Sequence, residues 1–213
     1  MDQPTADLFE TMRTTRSMRR LKPDPVPDAV LAQVLEAGTC APSGGNMQGW
    51  RFLVIRDAGI KAAVGAWYRR GWYEGVAPRY RSGGPAPGQS QEQFDRLLAA
   101  AEHLADHIHE APVWIVPCSV GANLGRSAGA SIYPAVQNML LACRALGLGA
   151  TLTTLYLLHE KEAEAAMGLP ADAHSFAILP IGWPRGKFGP VRRASLDQVV
   201  YADHWGAAWQ PRA

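Results

Sequence analysis

Apolar positions recur at helical spacing in some stretches and run together in others, with Gly and Pro marking the breaks. Residues 7–14 predict a short helix with Leu8, Phe9 and Met12 on one apolar face. A basic turn, Arg16-Ser17-Met18-Arg19-Arg20, leads into a connector with alternating Pro23, Pro25 and Pro27. Proline fixes φ and lacks an amide donor, so the connector is extended and its last proline suits a helix's first turn. Val30, Leu31, Val34 and Leu35 trace that helix, which stops at Gly38. A polar, Gly-rich loop follows, then the strand Phe52-Leu53-Val54-Ile55.

Residues 61–74 interleave Trp67, Tyr68, Trp72 and Tyr73 with Arg69 and Arg70, and residues 77–90 carry enough Gly and Pro to mark a flexible loop. Together, residues 67–90 form a candidate lid. Residues 92–110 predict a helix with Phe94, Leu97, Leu98, Ala101, Leu104, Ala105 and Ile108 inward. Residues 112–120 predict a buried strand ending in a polar loop around Asn123. Residues 130–146 form the most apolar helix, with Ala130, Ser131, Ala135 and Ala142 small enough for close packing. Such a helix is buried nearly all round, at the domain centre, at a dimer interface, or both. A threonine-rich strand (150–157), a short helix (160–167) and a buried strand (175–183) follow, and residues 184–213 look like an extended arm. No repeat or linker divides the chain, so residues 1–213 are expected to be one domain.

Composition narrows the class. The 213 residues have a formal net charge of +2, too balanced for nucleic acid or an anionic membrane to be the main partner. The three cysteines, Cys40, Cys118 and Cys143, make neither a disulfide framework nor a metal motif, and no apolar run is long enough to span a bilayer. A cytoplasmic location is expected. Only Lys22, Lys61, Lys161 and Lys187 of the 21 basic residues are lysine, a bias that suits bidentate phosphate binding but also follows from GC-rich coding.

Candidate chemistry concentrates in two places. Arg16, Ser17 and Arg19 gather guanidinium and hydroxyl donors for an anionic, oxygen-rich ligand, with Arg192-Arg193 as a second basic pair. Pro42-Ser43-Gly44-Gly45-Asn46-Met47-Gln48 offers close backbone approach at the glycines and side-chain hydrogen bonds from Ser43, Asn46 and Gln48, although ordinary turns share that composition. His103, His107 and Glu110 have helical spacing, which an exposed polar face explains more simply than a metal. Cys40 is expected to be a packed thiol. Gly147-Leu148-Gly149 follows a helix instead of a strand, so the dinucleotide-fingerprint reading fails. With no acid–base or nucleophilic set evident, no catalytic side chain and no metal are assigned; a cofactor is expected to carry the chemistry.

The ordered set Thr15 to Arg20, Lys22 to Pro27, Ala41 to Phe52, Gln137 to Ala142, Leu146 to Ala150, Pro180 to Pro184 and Arg192-Arg193 resembles the FMN-dependent nitroreductase family across nearly the whole chain. The resemblance implies an α+β fold, a central mixed sheet flanked by helices, and a homodimer with swapped arms and FMN at the subunit interface. It implies FMN contacts from Arg16, Ser17, Arg19 and Arg193, and from Pro42, Ser43, Gly44 and Asn46 of a partner copy. Thr153 and Thr154 match the segment facing flavin N5, where the pair is similar to the iodotyrosine dehalogenase branch. Trp67, Tyr68, Trp72 and Tyr80 are candidate substrate-pocket residues. The lid stretch lacks the Glu, Tyr and Lys pattern expected for a halotyrosine. Thr15 stands where many members have a basic residue, and Gly49 where a proline usually precedes the Trp. The implied activity is ping-pong transfer from NAD(P)H to a small nitroaromatic, quinone or other conjugated acceptor. Alternatives are reductive dehalogenation, azoline oxidation, flavin fragmentation, or a non-catalytic flavin-binding module.

Overall fold

Successive side chains of a strand point to opposite faces, so a strand covered on both sides is apolar throughout. Val113–Val120 meets this condition, being buried from Val113 to Cys118 in the computed structural model, which describes residues 7–121 and 125–211. Val113 and Ile115 join one apolar cluster with Leu31, Val34, Val136 and Met139. Trp114, Val116 and Cys118 join another with Val64, Tyr68, Leu104, Ile108 and Ala163. One strand thus separates two cores.

In chain order the elements are α1 (Leu8–Thr14), α2 (Asp28–Thr39), β1 (Trp50–Ile55), α3 (Ala58–Arg70), α4 (Ala77–Gly83), α5 (Gln91–His107), β2 (Val113–Val120), α6 (Arg126–Ala145), β3 (Gly149–Ala150), α7 (Glu160–Ala166), β4 (Ala173–Ser175), β5 (Leu179–Gly182) and α8 (Leu196–Val199). The sheet order is β1-β2-β5-β3, with β4 also on β2. The α+β architecture is as expected; within this single chain every described ladder is antiparallel. α2 and α6 cover one face, where an added Cβ at Gly38 would come within 2.9 Å of Met139. α3, α5 and α7 cover the other.

Local caps fix where the helices begin. The Asp7 carboxylate accepts from the amides of Phe9 and Glu10, and that of Asp57 from Ile60. Ser90 and Gln93 form a reciprocal capping box on α5.

Several expected boundaries shift. The chain does not loosen at residue 77: α3 passes through a π-helical turn, Gly71–Val76, straight into α4. Pro78 lies in the first turn of α4, where a missing N–H costs nothing, so the flexible stretch shrinks to residues 84–90. The threonine strand is interrupted. β3 ends at Ala150, the chain leaves the ladder at Thr151 and Leu152, and Thr153 returns to pair with Ile178 before a 3-10 turn, Leu155–His159. The single strand expected over 175–183 divides into β4 and β5, with β2 offering Pro117, which cannot donate to a ladder, opposite the break. Leu97 points outward, 37% exposed. Leu8, Phe9 and Met12 of α1 are also exposed, so the α1 apolar face has no cover among the described residues. α6 buries Ile132, Val136, Met139 and Cys143 but leaves Tyr133 exposed, so it is covered on one side only. The loop around Asn123 lies outside the described residues.

The C-terminal segment is extended, with α8 its only helix among the described residues. It runs back over the N-terminal turn: the Arg185 amide donates to the Arg20 carbonyl and the Val191 amide to the Arg13 carbonyl. β3 fixes the same turn from below. The Met18 amide donates to the Ala150 carbonyl, and Gly149 is so tightly enclosed that an added Cβ would lie 2.9 Å from Met18 and Leu21.

Candidate functional site

This clamping of the basic turn between β3 and the arm creates a cavity of about 250 Å³. Its walls come from α1 and the turn (Met12, Thr15, Arg16, Ser17), the last turns of α6 (Gln137, Leu140, Arg144), the 148–152 segment and the arm (Phe188, Arg193). Three guanidinium residues and several hydroxyls face it, and among the described residues no carboxylate lines it. An adjoining groove of about 710 Å³ shares Arg16, Ser17 and Arg193 and adds Arg19, Arg20, Arg96, Lys187 and Arg192. Among the described residues, none of Arg16, Arg19, Arg144 and Arg193 enters an ion pair with a carboxylate. Unpaired cations facing a cavity fit a phosphorylated ligand such as FMN.

Arg16, Ser17 and Arg193, 177 positions apart at the extremes, are therefore brought together, and Arg19 adjoins them. Burial pulls the Arg19 guanidinium below its ordinary value, against weaker opposing effects from nearby Tyr68 and Tyr80. Desolvation makes a fixed cation act more strongly on charge nearby.

The two threonines separate. Thr153 is buried, and its Oγ1 lies 2.7 Å from the Tyr68 hydroxyl oxygen. Thr154 is exposed. Of the pair, Thr154 is the one available to a ligand, while Thr153 ties the segment to α3. Burial pushes the Tyr68 hydroxyl up to about 12, keeping it neutral and able to donate.

The Gly-rich loop does not line this cavity. Pro42, Gly44 and Asn46 are exposed and Ser43 is half-buried. The Gly44 amide donates to Ser131 Oγ (3.1 Å) near the start of α6, whereas Arg144 sits in its last turn. Thirteen helical residues separate these points, roughly 20 Å. The loop is nonetheless rigidly shaped: Gly45, Asn46 and Gln48 have φ of 59°, 53° and 51°, and Ser43 Oγ accepts from the Gln48 amide. Left-handed backbone at non-Gly residues is costly and collects at ligand-binding loops.

The aromatic quartet is largely structural. Tyr68 and Trp72 are 2% and 3% exposed and belong to the core behind β2, because α3 and the π turn face inward there. Trp67 packs on His159. Tyr80 alone of the four lines a described hollow, of about 600 Å³, with Arg192 and Arg193.

Cys40, expected to be packed, is exposed, while burial holds Cys118 and Cys143 as thiols, pushed up to about 12. His103 and His107 stack, and His107 pairs with Glu110. The carboxylates and imidazole that converge among the described residues are instead Glu160, Glu164 and His174, where Glu164 accepts from both the amide and hydroxyl of Ser175. Sequence reasoning missed Arg144 and Phe188. A lone arginine closing an apolar helix was the available signal for the first.

Residues 12–183 match the model of the nitroreductase family. The chain belongs to the nitroreductase family. Among its relatives, a NADH dehydrogenase of Thermus thermophilus is 30% identical over 213 residues, covering 92% of this chain and 96% of that protein. A 5,6-dimethylbenzimidazole synthase of Rhodospirillum rubrum is 30% identical over 190 residues, covering 84% and 81%. The crystal structure of an iodotyrosine deiodinase bound to FMN and 3-iodo-L-tyrosine superposes with a TM-score of 0.72 at 25% identity, covering 93% of this chain and 99% of that one. One nitroreductase fold thus carries several named activities.

Proposed function

We propose that this nitroreductase-family member is an FMN-dependent oxidoreductase that uses NAD(P)H to reduce a small nitroaromatic, quinone or other conjugated acceptor. The observation that carries the reading is the convergence of Arg16, Ser17 and Arg193 on one cavity that no carboxylate among the described residues lines, in a chain of this family. FMN, when bound, supplies the electron transfer, accepting from the nucleotide and delivering to the acceptor in alternation.

The chain's own groups bind and orient. Arg16, Ser17 and Arg193 hold the phosphate by charge-assisted bonds. Arg19, partly desolvated, offers a fixed cation to an electron-rich ring edge. Thr154, exposed, would be the hydroxyl of the pair free to meet the ring, and Thr153 anchors that segment through Tyr68. Pro42, Ser43, Gly44 and Asn46 reach a ligand only from a second copy, because their loop lies at the far end of α6 from the cavity. The working form is therefore a homodimer. The uncovered apolar face of α1 and exposed Tyr133, Leu152 and Trp205 support an association surface of this kind.

The test is direct. Purified protein should be yellow or become so with FMN, lose the flavin absorption on anaerobic mixing with NADH or NADPH, and regain it with a nitroaromatic or quinone. Protein that stays colourless with added FMN refutes the reading. Bound FMN that neither nucleotide reduces supports a binding module instead.

A further inference from the structure

We infer that Arg144 is a direct ligand of the FMN phosphate, a cation supplied by α6 beside the basic turn. This rests on the FMN reading above and adds to it a residue outside the turn and the arm. Thr15 is neutral, and its hydroxyl donates to the Thr11 carbonyl (2.7 Å), so it contributes little to an anion. Arg144 lines the same cavity as Arg16, Ser17 and Arg193.

Its geometry is built rather than loose. Nε donates to Thr14 Oγ1 at 2.9 Å, and the guanidinium lies 4.3 Å from the centre of the Phe188 ring. Stacking on the ring and fixing Nε leave the two Nη groups without a hydrogen-bond partner among the described residues. Among the described residues no carboxylate neutralises the side chain there. A half-buried guanidinium, held on two sides with its fork free, is preorganised for a phosphate oxygen. The competing role is purely structural. A cation in the last turn of α6 complements the helix dipole and ties α6 to α1 and the arm.

Binding separates these roles, because riboflavin is FMN without the phosphate. Full-length protein is titrated with FMN and with riboflavin, read by quenching of flavin fluorescence. Arg144→Ala should weaken FMN by about tenfold to a hundredfold, the loss of one hydrogen bond to a charged group. Riboflavin affinity should stay the same, so the preference for FMN falls by that factor. Arg144→Lys should restore part of the preference, since it keeps the charge but not the fork. Phe188→Leu keeps the cation and removes its stacking surface; it should lower the preference less. Equal weakening of both flavins by Arg144→Ala and Phe188→Leu would overturn the assignment in favour of the structural tie. An unchanged preference would overturn it outright. Wild-type protein that binds neither flavin refutes the FMN reading itself, whereas wild-type protein that prefers FMN beside variants that prefer it as strongly refutes only the role of Arg144.

Discussion

Replacing Tyr68 by phenylalanine removes one oxygen from a contact that fixes the 151–154 segment. The ring stays, so no cavity opens, and the cost comes from the hydrogen bond alone. Both residues are buried, at 2% and 8% exposure, so Thr153 Oγ1 loses its Tyr68 partner away from solvent. Stranding a buried hydroxyl costs about 1–3 kcal/mol, and Thr153→Val should cost a similar amount by stranding the Tyr68 hydroxyl. The double variant replaces both partners with apolar groups of nearly the same shape and should cost only about 0–1 kcal/mol. The cycle therefore predicts strong non-additivity, the two single costs exceeding the double cost by about 1–6 kcal/mol. Urea unfolding followed by tryptophan fluorescence measures all four proteins, at one fixed concentration because assembly shifts apparent stability. Costs that simply add would show that the contact is not made. Thr154→Ala serves as the contrast: its side chain is exposed, and its stability should change by no more than about 0.5 kcal/mol.

Gly149→Ala drives a Cβ to 2.9 Å from Met18 and Leu21, and overpacking of this kind costs about 1–3 kcal/mol. It should lower the melting temperature and displace the basic turn, so FMN affinity should fall with it. An unchanged melt and affinity would show that the turn is not clamped there. Alkaline titration followed by phenolate absorbance should show Tyr68 lagging to about 12, above the ordinary phenol value of about 10. Because its folded value is raised, the stability linked to Tyr68 is present below pH ~10 and is lost as pH rises toward about 12; burial pushes Tyr156 in the same direction. Phe9→Asp places a charge on the exposed face of α1, where Phe9 is 64% exposed. It should leave the fold intact and shift sedimentation from dimer to monomer; an unchanged mass would exclude that face from the interface.

The parts of the fold legible in the sequence were those whose residues report their own surroundings. The apolar run Val113-Trp114-Ile115-Val116 reads as a strand covered on both faces, and Phe94, Leu98, Ala101, Leu104 and Ala105 at helical spacing mark α5. The 77–83 segment was hidden because Pro and Gly suit both a loop and the ends of a short helix, and only packing of the π turn against residues 155–158 decides between them. Threonines favour strands, yet just one of Thr151, Thr153 and Thr154 pairs, since the chain bulges between Ala150 and Thr153. Arg16, Ser17 and Arg193 were recognisable as an ordered set of motifs, and the fold unites them. Tyr68 and Trp72 look identical in sequence to pocket-lining aromatics, and their burial depends on which way α3 rolls. Arg144 offered only the signal of an arginine closing an apolar helix, because the groups that give it a role, Thr14 and Phe188, lie 130 and 44 positions away.

The placement of the Gly44 loop and the Arg144 end at opposite poles of α6 has a genetic corollary for the proposed dimer. Each chamber in such an assembly borrows one wall from each copy, so lesions in the two walls belong to different complementation groups. Co-expressing an Arg16→Ala, Arg193→Ala chain with a chain altered at Ser43 and Asn46 would assemble mixed pairs holding one intact chamber and one doubly damaged chamber. Two inactive parents would then yield partly active offspring, at about a quarter of wild-type output when subunits pair at random.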